Sequence, residues 1–285
     1  MSSIAGIAII ARLTLREAVR RRLLWVLVGL TALMVVLTWW AFGRIAEASP
    51  ITGPGQVLVI SQVTVMLAFM FSFVLAMTAV FAGSPAIGSD VESGLLLAVL
   101  ARPIRRSEVL LGRWLGLAAV LVGYALVAGY LELGAVVAAT SYVPSNPLAV
   151  PFYLAGQSLI LLTLAIVVST RVASVAGGAI AVVAYGLAWM GGVMGGVGEA
   201  LDNRILHGVG VVARLILPSD VLWRGAAGAL TPTDNVLTAG GVNASLYRFS
   251  PFSGTTPSLP WLVWCVVWIV GALAIGIVLL RNREV

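Results

Sequence analysis

Residues 261–280 read WLVWCVVWIVGALAIGIVLL, twenty positions without a charge, preceded by Pro260 and followed by Arg281. As a helix this run measures about 30 Å, the thickness of a bilayer's hydrocarbon core. It is apolar on every face, which marks a membrane span rather than the surface helix of a soluble domain. Five further stretches are long and apolar enough to cross: 23–42, 57–81, 114–139, 150–168 and 172–197, of which the third carries one charge, Glu132. The predicted fold is therefore all-α, a single polytopic membrane domain over 1–285 with six transmembrane helices. Trp39 and Trp40 close the first span, and Trp261, Trp264 and Trp268 open the last, as an interfacial aromatic belt would.

Composition excludes several functions. Hydrophobic residues make up 60% of the chain and charged ones 10%, against about 25% charged in soluble domains. Mean hydropathy is +1.07. The net charge of +6 does not signal nucleic acid, because the arginines flank apolar runs and form no continuous basic face. All 17 basic residues are arginine. A Walker A loop needs a lysine for the nucleotide phosphates, so this chain is not itself a P-loop ATPase. One histidine, His207, and one cysteine, Cys265, exclude an HExxH site, a multi-histidine metal cluster and an intrachain disulfide. No catalytic, metal or cofactor site is expected in this chain. The early Arg12, Arg16, Arg20, Arg21 and Arg22 precede a run long enough to span, not a cleavable leader.

Arginine placement predicts orientation. With the N-terminus inside, twelve arginines fall on inner segments and five (Arg44, Arg204, Arg214, Arg224 and Arg248) on outer ones. The positive-inside rule then puts both termini in the cytoplasm. Within the N-terminal segment 1–22, residues 4–20 carry an apolar stripe (Ile4, Ile7, Ala8, Ala11, Leu15, Ala18, Val19) opposite Arg12, Arg16 and Arg20. That pattern reads as an interfacial elbow helix, the plainer alternative being a cytoplasmic extension of the first span. The long outer connection, 199–260, holds an apolar stretch 205–217 too short to cross. Pro218 ends it, and Ser219-Asp220 offers a cap for a second short helix over 221–230. A re-entrant or interfacial pair fits this stretch, followed by irregular loop over 231–258.

The inner connection, 83–113, carries the functional signal. It reads GSPAIGSDVESGLLLAVLARPIRRSEVLLGR. Ser89-Asp90 would start a short helix over 91–100, Pro103 would stop the chain from continuing it, and Ser107 would cap the third span. An apolar helix at a cytoplasmic surface, with acid before it and Arg102, Arg105 and Arg106 after it, either docks a partner or forms a hairpin turn pinned by headgroups.

This stretch resembles the loop between the second and third helices of ABC-2 type permeases, the membrane half of ABCG-like (type V) ABC exporters. The matching residues are Glu92, Gly94, the apolar run 95–100, Pro103-Ile104, Arg106 and Gly112-Arg113. Leu95, Arg105 and Arg113 stand where that family shows Thr, Ser and Lys. The arginine-flanked first helix is similar to the family's elbow helix. Leu217-Pro218-Ser219-Asp220 with Trp223-Arg224 is similar to a motif before the last helix of many prokaryotic members. The resemblance implies a coupling helix seated in a groove of a cytoplasmic ABC ATPase, two copies of which would hold the ATP and Mg. Leu96, Leu97 and Val99 would pack into that groove, and Glu92, Arg105 and Arg106 would contact its rim. It further implies a dimer or paired permease, export, and a prokaryotic plasma membrane.

Other residues admit two readings. Glu132 lies about 28 Å along the third span from Arg113, as either an ion contact or a hydrated interfacial carboxylate. Gly191, Gly192, Gly195 and Gly196 would let helix backbones approach, within the chain or across a dimer. Phe69 and Phe73 could line a substrate path or face lipid. A carrier or channel without an ATPase would show charges and broken helices near midplane, and a non-transporting assembly or immunity factor could share the fold.

Overall fold

The computed structural model of the chain describes residues 3–20, 22–48, 54–92, 105–232 and 252–282. Among the described residues there are nine helices and no strand. They are α1 (Ser3–Arg20), α2 (Arg22–Ala48), α3 (Pro54–Glu92), α4 (Arg106–Thr140), α5 (Ala149–Ser169), α6 (Ser174–Ala200), α7 (Arg204–Ile216), α8 (Ser219–Leu230) and α9 (Leu259–Arg281). Helix is the local solution that closes every backbone hydrogen bond without water. Six of these helices, α2 to α6 and α9, are long and apolar enough to cross a membrane. The chain is an all-helical, multi-pass membrane protein.

α5 is the axis of the bundle, with 61% of its span buried, whereas α2 is peripheral at 11%. Leu154, Ile160, Leu161, Leu162 and Ile166 of α5 are sealed among α3, α4, α6, α8 and α9. A polar ladder crosses the same layer. Ser72 Oγ donates to Gln157 Oε1 at 3.0 Å, and Gln157 Nε2 donates to Tyr185 OH at 3.2 Å, tying α3, α5 and α6. Trp114 Nε1 donates to Thr163 Oγ1 at 2.8 Å and joins α4 to α5. Away from water these bonds have few competitors, so they pin helix register.

Several elements differ from expectation. α3 does not end near Phe81 but continues through Pro85 to Glu92. Ser89-Asp90 therefore lies inside it and starts no new helix. Pro85 has no N–H for the Phe81 carbonyl, and the helix continues past it with α3 tied to its neighbours on either side: the Arg113 guanidinium donates to the Ala86 carbonyl and Ser84 Oγ to the Ser174 carbonyl. α4 begins earlier than the third span was drawn, with Arg105 and not Ser107 at its cap position. Arg105 N–H donates to the Glu108 carboxylate at 3.4 Å, while Glu108 N–H returns to the Arg105 carbonyl at 2.9 Å.

α1 docks through a face that overlaps the stripe its sequence suggests at Ile7, Ala11 and Ala18 and is shifted toward Ile10 and Thr14. Ile7, Ile10, Ala11 and Thr14 meet α4 at Gly112 and Gly116, where any side chain would collide with them. Leu15 and Val19 are left exposed. Residues 93–104, with most of the expected coupling helix and its Gly94, Leu96, Leu97, Val99 and Pro103, lie outside the described residues.

Candidate functional site

Polar side chains gather at two places, the base of α4 and the bend between α7 and α8. At the base of α4, after the 93–104 connection, the first three turns of the helix hold three others. Arg106 Nη1 donates to the carbonyls of Leu280 at 2.8 Å and Arg281 at 3.3 Å, closing the last turn of α9. A cation is favoured there because a helix C-terminus carries unpaired carbonyls and partial negative charge. Arg113, two turns on, holds α3 at Ala86, and α1 lies across Gly112 and Gly116. The first three turns of α4, from Arg106 to Gly116, thus join α1, α3 and α9.

At the opposite end the chain leaves α6, descends α7, and turns through 108° into α8. Gly195 meets Gly210 and Gly191 meets Ala213, so α7 runs back antiparallel along α6. α8 then returns to the end where α7 entered. Tyr142 OH donates to the Leu230 carbonyl at 2.8 Å and Asn146 N–H to the Ala229 carbonyl at 3.0 Å, both from the α4–α5 connection. A pair that enters and leaves on one side is re-entrant, not a seventh span.

α9 fixes how deep the bend lies. Trp268 Nε1 donates to the Ile216 carbonyl at 2.8 Å, and the Cys265 thiol faces the Pro218 carbonyl at 3.9 Å. Trp268 is nine residues from Leu259 and thirteen from Arg281, so the bend lies about 14 Å from one end of α9 and about 20 Å from the other. Trp268 is therefore spent on this contact rather than on an interfacial belt. The lipid-facing side of α7 is apolar through Ile205, Val209, Val212 and Ile216.

A charge cluster occupies the bend. Asp220, whose side chain is 1% exposed, accepts on Oδ2 from Arg224 Nε at 2.9 Å and from Arg214 Nε at 3.1 Å. Arg224 Nη2 also donates to the Gly192 carbonyl at 2.5 Å. Asp220 Oδ1 and Ser219 Oγ are buried with no hydrogen-bond partner. Asp220 does not cap α8, as had been expected; Pro218 occupies that position, and the carboxylate joins α7 to α8. Two guanidiniums against one carboxylate leave a net positive site well inside the apolar layer.

Residues 8–285 match the family model described as ABC-2 family transporter protein. The chain belongs to that family. A search of curated proteins finds none that matches.

In this ABC-2 permease the sequence-predicted residues fall in different places. Arg105 and Arg106 stand at the base of α4, and Glu92 ends α3. Phe69 lies in an aromatic cluster, with ring centroids 5.6 Å from Trp189, 5.2 Å from Trp223 and 5.2 Å from Phe252. Phe73 faces Tyr185 at 6.4 Å. Glu132 Oε1 accepts from Thr38 Oγ1 at 2.6 Å, fastening peripheral α2 to α4, and borders a cavity with room for a water molecule. Gly191, Gly192, Gly195 and Gly196 meet Ala213, the Asp220 carboxyl, Gly210 and the Arg224 guanidinium. All four are occupied within the chain by α7 and α8.

The sequence reading named Asp220 as a cap and Arg224 within a motif of the outer connection, but not their cluster with Arg214. Two signals point to them. Asp220 and Arg224 are four apart on one short helix, and Arg214 is the one charge in the last turns of an otherwise apolar α7.

Proposed function

We propose that this ABC-2 permease is the membrane subunit of an ATP-driven exporter, powered by two copies of a separate cytoplasmic ABC ATPase that engage residues 92–106. ATP closure would draw this connection, and the arginine-braced base of α4 would tilt α3, α1 and α9 together, alternating access between the two membrane faces. In this reading both termini lie in the cytoplasm of a prokaryotic plasma membrane, two permease chains pair, and ATP with Mg resides on the ATPases. Leu96, Leu97 and Val99 pack into the ATPase and Glu92 meets its rim. Arg106 acts differently from a rim contact, since its guanidinium is engaged by α9.

The single observation that carries this reading is the family match across nearly the whole chain, and the braced base of α4 supports it mechanically. The test is affinity purification in mild detergent followed by flux in proteoliposomes. An ABC ATPase co-elutes, and Glu92→Ala or Leu97→Asp lowers ATP-driven flux at least about fivefold without loss of folded permease. Unchanged flux in both variants refutes the coupling assignment.

One observation favours a second reading, a carrier that needs no ATPase: a broken helix pair with charges deep in the apolar layer is where such carriers bind their cargo. Flux through the purified permease alone, with no ATPase present, separates the two.

A further inference from the structure

We propose that the exposed face of α1 is a docking surface for anionic lipid headgroups, and that Arg12 and Arg16 receive the lipid phosphate. α1 is fixed to the bundle by one side. A side chain on Gly112 would strike Ile10, one on Gly116 would strike Ala11 and Thr14, and the Glu108 carboxylate lies against Gly6. These contacts advance in step along both helices, so α1 climbs beside α4 with Ile7, Ile10, Ala11, Thr14 and Ala18 turned inward. At about 100° per residue, Arg12 and Arg16 fall about 140° and 175° from the centre of that face and point away from the bundle. Both are exposed, and neither has a hydrogen-bond or ion-pair partner among the described residues. Glu17, the one acid of α1, is turned about 100° from Arg16. Between the basic strip and the docked face runs a second strip, Ile4, Ala8, Leu15 and Val19, which is apolar and exposed.

Depth selects the partner. Arg106 holds the last turn of α9, which marks one edge of the apolar layer. Gly116 lies about 15 Å further along α4, so Thr14, with Arg12 and Arg16 on either side of it, is level with the adjoining leaflet rather than with free solution. An unpaired guanidinium at that depth is costly. Reaching back to the headgroups, it finds a two-point match in phosphate, while the apolar strip beside it lies against acyl chains. α1 bears on the turns of α4 that also hold α3 and α9, so lipid on its exposed face steadies the base of the bundle. The inference needs the chain to lie in a bilayer but does not rest on the ATPase reading. It is measured without nucleotide or ATPase, so failure of one is distinguishable from failure of the other.

The permease is reconstituted in nanodiscs of phosphatidylcholine with rising shares of phosphatidylglycerol while its thermal midpoint is read. The midpoint rises with phosphatidylglycerol, because the lipid binds the folded chain. Arg12→Gln with Arg16→Gln needs at least about fivefold more phosphatidylglycerol for the same rise. Arg12→Lys with Arg16→Lys keeps the response, since a leaflet reads charge. Arg44→Gln, at an exposed arginine paired with Glu47 near the far end of α2, keeps it too. Inorganic phosphate added to phosphatidylcholine discs leaves the midpoint where it was. A wild-type midpoint indifferent to phosphatidylglycerol overturns the proposal, whether or not any variant folds. Equal titrations of wild type and the double glutamine variant overturn it as well, as does an equal loss in the lysine variant or in Arg44→Gln. A rise with inorganic phosphate that matches the lipid's would overturn the lipid assignment. Should the double glutamine variant shed a co-purifying protein while its lipid titration stays that of wild type, the face docks that protein and the proposal fails.

Discussion

Asp220 shows how much depends on one carboxylate in an apolar setting. It joins two helices by accepting from an arginine on each, and it lies against Gly192, where a methyl group would overlap the carboxyl. Removing one member of a buried ion cluster leaves the others uncompensated, at a cost of about 3 kcal/mol or more. Asp220→Ala should therefore lower the thermal midpoint sharply and reduce the yield of folded protein, as read by size-exclusion profile in detergent. Replacing the whole cluster with apolar residues of similar size is a different experiment, because it leaves no orphan charge. The triple variant Arg214→Met, Asp220→Leu, Arg224→Met should recover most of that stability. A triple variant as unstable as Asp220→Ala would show that the bend is held by something other than charge balance. Gly192→Ala tests the same spot from the α6 side, and the overlap with Asp220 should cost about 1–3 kcal/mol.

Helices α6 and α7 approach closely because glycine faces glycine. Gly195 and Gly210 leave no room for a side chain between them, and such small-residue contacts replace the hydrophobic drive that lipid removes. The native Cys265 reports on this element, since it is buried beneath the bend and faces the Pro218 carbonyl. In folded wild-type protein a maleimide should react with it slowly. Gly195→Leu should wedge α7 away, lift the bend and raise the labelling rate several-fold, while circular dichroism stays helical. The existence of these short helices was legible in the sequence: the apolar stretch was too short to cross, and Pro218 had to end it. The pairing of their charges was not, because a linear reading puts Arg214 on one short helix and Asp220 and Arg224 on the next and cannot see which side chains the bend brings together. The length of α3 was misread for a related reason. Pro85 removes one bond of the helix without ending it, and the contact that ties α3 to α4 just beyond it comes from Arg113, 28 positions away from the proline. The glycines read the other way, for their spacing announced a close contact without saying which helix would fill it.

On the scale of the whole molecule, the spans themselves needed no tertiary information, because twenty uncharged residues at 261–280 have no stable place in water. What the sequence pattern could not supply is the brace at the base of α4, where residues 106 and 280 meet across 174 positions. That brace changes what a mutation at Arg106 means. A charged hydrogen bond to a helix end contributes about 1.5–3 kcal/mol, so Arg106→Ala should lower the thermal midpoint even in permease purified without any ATPase. Leu97→Asp, outside the brace, should leave that midpoint unchanged and act only on ATP-driven flux. That contrast, once measured, would place the ATPase contact between α3 and α4 and the transmission within α4. It also requires that residues 93–104 face the cytoplasm, which single cysteines can establish in a Cys265→Ser background. Leu97→Cys should be labelled by a membrane-impermeant maleimide only after the cells are opened, and Asn203→Cys, at the start of α7, in intact cells. Labelling of Leu97→Cys from outside would place the braced end away from any cytoplasmic ATPase, and the force drawn through α4 would then have no source.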